Sequence, residues 1–445
     1  MPTTPGDADV TDARGRTREA KLETAPPRGM RDVLPEEAAV RDRAMSTILD
    51  VYRRHGFVRI ETPAVESLRL LMGSEGGENE KLIFRILKRG DKLAAARGAE
   101  ELADLGLRFD LTVPLARYYA HNHARLPSPL KAIQIGPVWR ADRPQHGRYR
   151  QFTQCDIDIL GVSSEVAEIE LILATAEALA ALGLDGLKVR VNDRRVLAAM
   201  AAHCGFPEAR FESVFIALDK LDKVGKPGVV KELEAAGHER AAVGKLFDLL
   251  AAVAGRESSA ALRELAGMLR DRAEPSVWAA LARIVETVRE QARAGLEVEL
   301  DATLTRGMGY YTGPIFEVQY RDNPSSIAGG GRYDRMIGKL LGRDVPATGF
   351  SIGFERVIGL LMDRAGPGGT GDNRAALVFD EDTPHLARIL AQARELREKG
   401  HAVTLELRFR KLGKQLHDLD QRGFRRIAVV SDDGTLEWRG PGATA

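Results

Sequence analysis

The chain has 445 residues, which allows roughly two to four domains and a substantial buried core. Its 65 Lys and Arg nearly cancel 64 Asp and Glu, so no global field draws it to nucleic acid or membrane, and any polyanion must meet a local cluster. Two cysteines, Cys155 and Cys204, exclude a disulfide framework and a four-thiolate zinc site and fit buried, reduced thiols in the cytoplasm; no apolar run is long enough to cross a bilayer.

Residues 1–26, rich in Pro, Gly, Thr and mixed charge, carry no hydrophobic segment and read as a disordered tail, not a secretory signal. Pro35 opens a helix with Glu36 and Glu37 in its first turn and Ala39, Met45, Ile48, Leu49 and Tyr52 at helical spacing. "VRIETPAVE" reads as a strand stopped by Pro63. Strand-like pieces follow at "KLIFRIL", "LRFDLTV" and "KAIQIGPVW", and "FTQCDIDILG" closes a hairpin with the last of them. "LRFDLTV" sets Asp110 and Thr112 on one strand face, just before a helix opened by Pro114. Hairpin-linked strands mixed with helices predict an α+β fold on an antiparallel sheet.

Residues 195–293 are Ala-, Leu-, Glu- and Arg-rich and helical in pattern, a helical insertion, after which strands return from Leu296. "GGGRYD" reads as a glycine-rich turn, and "GFSIGFER" sets Gly349 and Gly353 one helical turn apart before Arg356. Residues 365–374 form a flexible linker by composition. Beyond it, β-α-β-α-β alternation with helices over 384–399 and 411–422 predicts a small α/β domain.

The stretch "RADRPQHGRYRQFTQCDID", residues 140–158, puts Arg140, Arg143, Arg148 and Arg150 ahead of Asp156 and Asp158. In an extended strand Arg148, Arg150, Phe152, Gln154, Asp156 and Asp158 share one face, while Thr153, Cys155, Ile157 and Ile159 point to the other. Guanidinium forks match phosphate oxygens, a ring stacks on a base, and an amide and a carboxylate grip ammonium or imidazole N–H groups. That order suits a nucleotide polyphosphate beside a small cationic substrate, although a solvated β-hairpin explains this stretch taken alone. "TRGMGYYTG" adds Arg306 and the pair Tyr310–Tyr311 among glycines. No segment has the phosphate-loop or dinucleotide-binding glycine pattern, so ATP would be held by arginines and a sheet.

With these segments in hand, the chain resembles the histidyl-tRNA synthetases, class II aminoacyl-tRNA synthetases, over roughly residues 27–430. "VRIETPAVE" resembles the family's motif 1, "GPVWRADRPQHGRYRQFTQCDID" its motif 2, and "GFSIGFER" its motif 3. "RGMGYYTG" resembles its histidine-binding peptide, and "LDKLDKVG" a stretch of its insertion. The resemblance implies a catalytic domain at 27–194 and 294–364, the insertion at 195–293, and an anticodon-binding-like domain at 375–445.

It also implies roles. Arg140 would hold the ATP α-phosphate and the histidine carboxylate, Arg148 and Arg356 the β/γ end, with Phe152 on adenine; Arg306 would stand where other members of the class place a metal ion. Asp110, Thr112 and Gln154 would hold the α-ammonium, with Leu111 between them in the histidine site. Asp158 and Tyr311 would meet the imidazole nitrogens, with Tyr310 and Tyr333 lining the pocket. Arg143 and Gln145 would meet the tRNA acceptor end, and Pro63 a homodimer interface. ATP would bring Mg²⁺ with it; the nine histidines form no metal motif.

Gly309 stands where the family usually has aspartate, and the last domain reads as short, ending in "PGATA". Two other functions remain open on sequence: a histidine-sensing paralogue like the regulatory subunit of ATP phosphoribosyltransferase, and an enzyme passing activated histidine to another acceptor.

Overall fold

Strands Leu130–Trp139 and Gln151–Leu160 pair antiparallel over their full ten residues, so the predicted hairpin forms. The computed structural model describes residues 24–73, 79–143, 148–292, 295–306, 309–323, 325–365 and 373–439. Most of the expected tail, most of the expected linker, the terminal "PGATA" and Gln145 lie outside these residues.

Around the hairpin an eight-stranded sheet runs in the order Val58–Arg59, Leu130–Trp139, Gln151–Leu160, Ala347–Ile352, Ala328–Arg332, Pro314–Tyr320, Leu187–Asp193, Leu296–Leu300. Its interior pairings are antiparallel and its two outermost pairings are parallel. The predicted α+β class on an antiparallel sheet is therefore borne out.

Alternation sorts the hairpin's side chains. Cys155, Ile157 and Ile159 enter one large apolar core. That core holds the helix Pro35–Arg54, with Pro35 at its first turn as expected, and the helix Val166–Ala181. It continues into helices of the 194–291 stretch through Met200, Leu246 and Leu281. Both cysteines are free and buried.

Four local expectations are corrected. The strand ahead of the active region is Ala103–Leu107, and Thr112 already belongs to the helix Thr112–Asn122, so Asp110 and Thr112 do not share a strand face. Pro114 sits inside the first turn and does not open it, a position without cost because first-turn N–H groups have no helical partner. "GGGR" is not a turn but most of the strand Ala328–Arg332, and Gly349 lies in the strand Ala347–Ile352, ahead of the helix Phe354–Ala365. Finally, the hairpin strand begins at Gln151, so Arg148 and Arg150 precede it and do not extend its face.

The C-terminal strands form a separate four-stranded sheet, Ala402–Leu407, Arg374–Phe379, Arg426–Val430 and Leu436–Arg439, of which the last is antiparallel and was not foreseen. Helices Leu386–Glu398 and Leu412–Gln421 cover opposite faces. Ala376 and Val378 pack toward the second helix, Leu377 and Phe379 toward the first, which is why "AALVF" reads as a continuous apolar run. Among the described residues no helix is long and apolar enough to cross a membrane.

Candidate active site

The sheet register turns the predicted residues into rows. One row across paired positions reads Gln134, Asp156, Ser351, Gly329, Glu317 and Arg190. The next, two residues along, reads Ala132, Asp158, Gly349, Gly331 and Ile315. Paired residues point to the same face, so the glycines are gaps in an otherwise side-chain-bearing floor. Other side chains lie in those gaps. A Cβ on Gly329 would overlap the Arg306 guanidinium, with Cζ at 2.7 Å, and one on Gly331 would sit 2.9 Å from Tyr311 Cδ1. A Cβ on Gly349 would overlap Asp158 Oδ1. The "GGG" run and the motif 3 glycine are thus spacing devices: Arg306, Tyr311 and Asp158 lie close over the sheet because nothing projects beneath them. Tyr311 and Asp158 lie over glycines that are themselves cross-strand neighbours.

At the acidic end, Asp110, Asp156 and Asp158 are all buried. Asp110 Oδ1 accepts the Val113 N–H at 3.1 Å, while its Oδ2 has no partner among the described residues. The segment carrying it is braced by Gln134, whose Nε2 donates to Leu111 O at 3.0 Å. Gln154 Nε2 donates to both Asp156 oxygens, at 3.3 and 3.0 Å, and Gln154 Oε1 is buried without a partner among the described residues. The Tyr333 hydroxyl donates to Asp158 Oδ1 at 2.5 Å. The Tyr310 ring lies 4.8 Å from that of Tyr311, tilted by 59°, meets Tyr333 edge-on at 6.1 Å, and has its hydroxyl on Thr112. Burial raises the Asp110 pKa to about 6 against the Val113 N–H and Arg140, and raises Asp156 to about 7 against its Ser351 and Gln154 hydrogen bonds. Asp158 is raised well above its ordinary range by burial first and the Asp156 charge second. Three buried carboxyls with unused acceptors nearby form a site that a cation would relieve.

The basic end faces it. Arg140 Nε donates to Phe109 O at 3.0 Å, its guanidinium lies 5.1 Å over the Phe152 ring, and its charge reaches Asp110 and Asp156. Arg306 pairs with Glu317; burial opposes its charge, but Tyr311 and Glu317 outweigh that and keep it firmly cationic. Arg356 donates to Ser326 O; burial lowers its pKa against Glu317, and the charges of Arg306 and Arg148 push the same way. Arginines from three distant segments therefore feel one another. Arg356 is held in place through Glu355, which takes Arg41 and the Thr153 N–H (3.0 Å). Arg148 is exposed and pairs with Asp142 at 2.9 Å. Arg143 and Pro63 are exposed, Arg143 on the loop after Trp139.

Two groups were missed on sequence, Glu317 as the partner of Arg306 and Glu355 as the anchor of motif 3, while Asp156 was placed on the site face but given no role. Glu317 could be found only from strand register; Glu355 stands beside Arg356 but its partners come from residues 31–41 and 153.

The raised carboxyls give a stability test. The folded protein keeps protons on Asp110 and Asp156 where an unfolded aspartate, near about 3.9, has released them. Their stabilising contribution is therefore present at low pH and lost as pH rises through about 6 and about 7. Asp156→Asn cannot ionise, so its melting temperature relative to wild type should shift in the variant's favour between pH 5.5 and 8. A pH-independent difference would mean that Asp156 titrates normally.

A family model described as histidyl-tRNA synthetase matches residues 29–357. The chain belongs to the histidyl-tRNA synthetase family. It is 48% identical to a curated histidine–tRNA ligase of Leifsonia xyli subsp. xyli over 423 residues, which cover 92% of this chain and 95% of that one. The solved histidyl-tRNA synthetase of Nostoc sp. PCC 7120 superposes with a TM-score of 0.76 at 26% identity, covering 94% of this chain and 97% of that one. An ATP phosphoribosyltransferase regulatory subunit/histidyl-tRNA synthetase from Bacillus halodurans C shares the fold, with a TM-score of 0.73 at 22% identity over 92% and 99% of the two chains. The resemblance read from the motifs is borne out, and membership of this synthetase family carries with it the general use of ATP and Mg²⁺.

Proposed function

We propose that the chain is a histidine–tRNA ligase, which activates L-histidine with ATP and transfers it to the terminal adenosine of histidine tRNA. The observation that carries the reading is the pairing of a buried acidic floor with converging guanidinium groups. Asp110 and Gln154 present unpartnered acceptors to an α-ammonium, and Thr112 adds a hydroxyl. Asp158, oriented by Tyr333, offers its other oxygen to one imidazole N–H, and Tyr311 meets the second nitrogen. Such a pocket rejects amino acids lacking two polar ring atoms, because its own buried groups would then stay unpaired.

In the first step a histidine carboxylate oxygen attacks the ATP α-phosphorus in line; the bond to the bridging oxygen breaks and diphosphate leaves. Little proton transfer is needed, and negative charge spreads over the non-bridging oxygens. Arg140 and Arg306 would stabilise that charge, with Arg356 and Arg148 on the β/γ end and Phe152 beneath adenine. Mg²⁺ would arrive on the ATP phosphates and neutralise them there. In the second step a ribose hydroxyl of the tRNA attacks the activated carbonyl carbon and AMP leaves. Arg143 and Gln145 would guide the acceptor end, and the 375–445 domain would read the anticodon.

We also infer a homodimer through motif 1. Val58 and Val65, on the strands Val58–Arg59 and Val65–Ser67 either side of Pro63, and Leu87 and Leu105, on the strands Arg85–Leu87 and Ala103–Leu107 that share a three-stranded sheet with Val65–Ser67, are all exposed and apolar, a surface that invites a partner. A monomeric mass by sedimentation would remove this inference. Incubation with ATP, labelled histidine and histidine tRNA should yield acid-precipitable histidyl-tRNA. Histidine-dependent pyrophosphate exchange without charging would redirect the enzyme to another acceptor, and no exchange would overturn the reading.

A further inference from the structure

We propose that Asp156 is a positioning residue for the amino acid: by accepting the amide hydrogens of Gln154, it turns the Gln154 carbonyl oxygen toward the substrate ammonium. The proposal rests on the histidine-activating reading of this site. Gln154 and Asp156 lie two apart on one strand and share its face. The Gln154 amide has chemically opposite ends, two donors and one acceptor, and nothing in its shape decides which end faces the substrate. Above about pH 7, where Asp156 is ionised, the carboxylate decides it, because it can only accept. Asp156 takes Gln154 Nε2 at 3.3 and 3.0 Å and the Ser351 hydroxyl on the other side, and it is buried between them. Gln154 Oε1 is thereby left buried and, among the described residues, unpartnered, in the same condition as Asp110 Oδ2. An asparagine at position 156 would lose this discrimination, since its own amide can accept from or donate to Gln154. The glutamine could then present its NH₂ to the ammonium.

The test is calorimetric binding at pH 8, with Asp156 ionised, to the full chain of L-histidine and of 3-(imidazol-4-yl)propanoate, which lacks the α-ammonium. Asp156→Asn should weaken histidine binding at least about tenfold, the usual scale for one charge-assisted hydrogen bond, and leave the des-amino analogue within about twofold. Gln154→Glu alone should also weaken histidine, because two carboxylates would then face each other. The double variant Asp156→Asn/Gln154→Glu should recover most of the loss, since a carboxylate at position 154 presents an acceptor whichever way it turns and the asparagine can donate to it. Structural damage would not be repaired by a second substitution. Equal losses for both ligands in Asp156→Asn, or no recovery in the double variant, would overturn the proposal. Wild-type protein that binds neither ligand would instead remove the histidine reading itself.

Discussion

Arg306→Ala should lower histidine-dependent pyrophosphate exchange by about 10²–10³, the cost of losing one preorganised donor to transition-state charge. Arg306 is held before any substrate arrives: Glu317 pairs with it, Tyr311 lies against it, and the space it occupies exists because Gly329 has no side chain. Preorganisation matters because charge on the α-phosphoryl oxygens develops only at the transition state, and a group already in place need not reorganise then. The loss should therefore fall on kcat, with KM for histidine changed little. Arg306→Lys should not restore the rate, since an ammonium cannot keep its grip on Glu317 while reaching a phosphoryl oxygen. Exchange at the wild-type rate in Arg306→Ala would take this residue out of the chemistry.

The fold neighbours sharpen why this variant is informative. A backbone shared at a TM-score of 0.73 with a protein described as both regulatory subunit and synthetase says nothing about catalysis. What separates a catalyst from a sensor on this scaffold is whether the guanidinium groups are present and fixed. Here Arg140, Arg306 and Arg356 are each tied to a defined acceptor: Phe109 O, Glu317 and Ser326 O.

The hairpin was legible because polar and apolar residues alternate strictly through "QCDIDI", and one face had to enter the core. The helix Val166–Ala181 was not, because ten of its residues are buried and it lacks the polar stripe that gives a helix its period. Thr112 and Val113 carry β-branched side chains that favour a strand, yet the Asp110 carboxylate on the Val113 N–H starts a helix there. The glycine run misled for a physical reason too. Glycine usually marks a turn through its conformational freedom, whereas here it occupies ordinary extended backbone and contributes only its missing Cβ. Which side chains fill those gaps depends on register between strands far apart in sequence, and Glu317 with Arg306 and Gly349 with Asp158 both belong to that class.

Gly349→Ala should therefore behave as a loss of Asp158 although it leaves that residue in the chain. The added methyl would coincide with Asp158 Oδ1 and come within 3.3 Å of Tyr333 Cε1. Asp158 is short and its Oδ1 is already held by the Tyr333 hydroxyl, so the carboxylate has to rotate away and the hydrogen bond is lost. A displaced carboxylate no longer meets the imidazole N–H, and KM for histidine should rise by about 10²-fold or more, with KM for ATP within about twofold. Asp158→Ala should show the same split. Combined with Asp158→Ala, the glycine substitution should add almost nothing, because the group it displaces is gone and the methyl then fills space the carboxylate vacated. Additive losses in the double variant would mean that Gly349 acts on the sheet itself, and an unchanged KM for histidine in Gly349→Ala would mean that Asp158 does not contact the substrate ring.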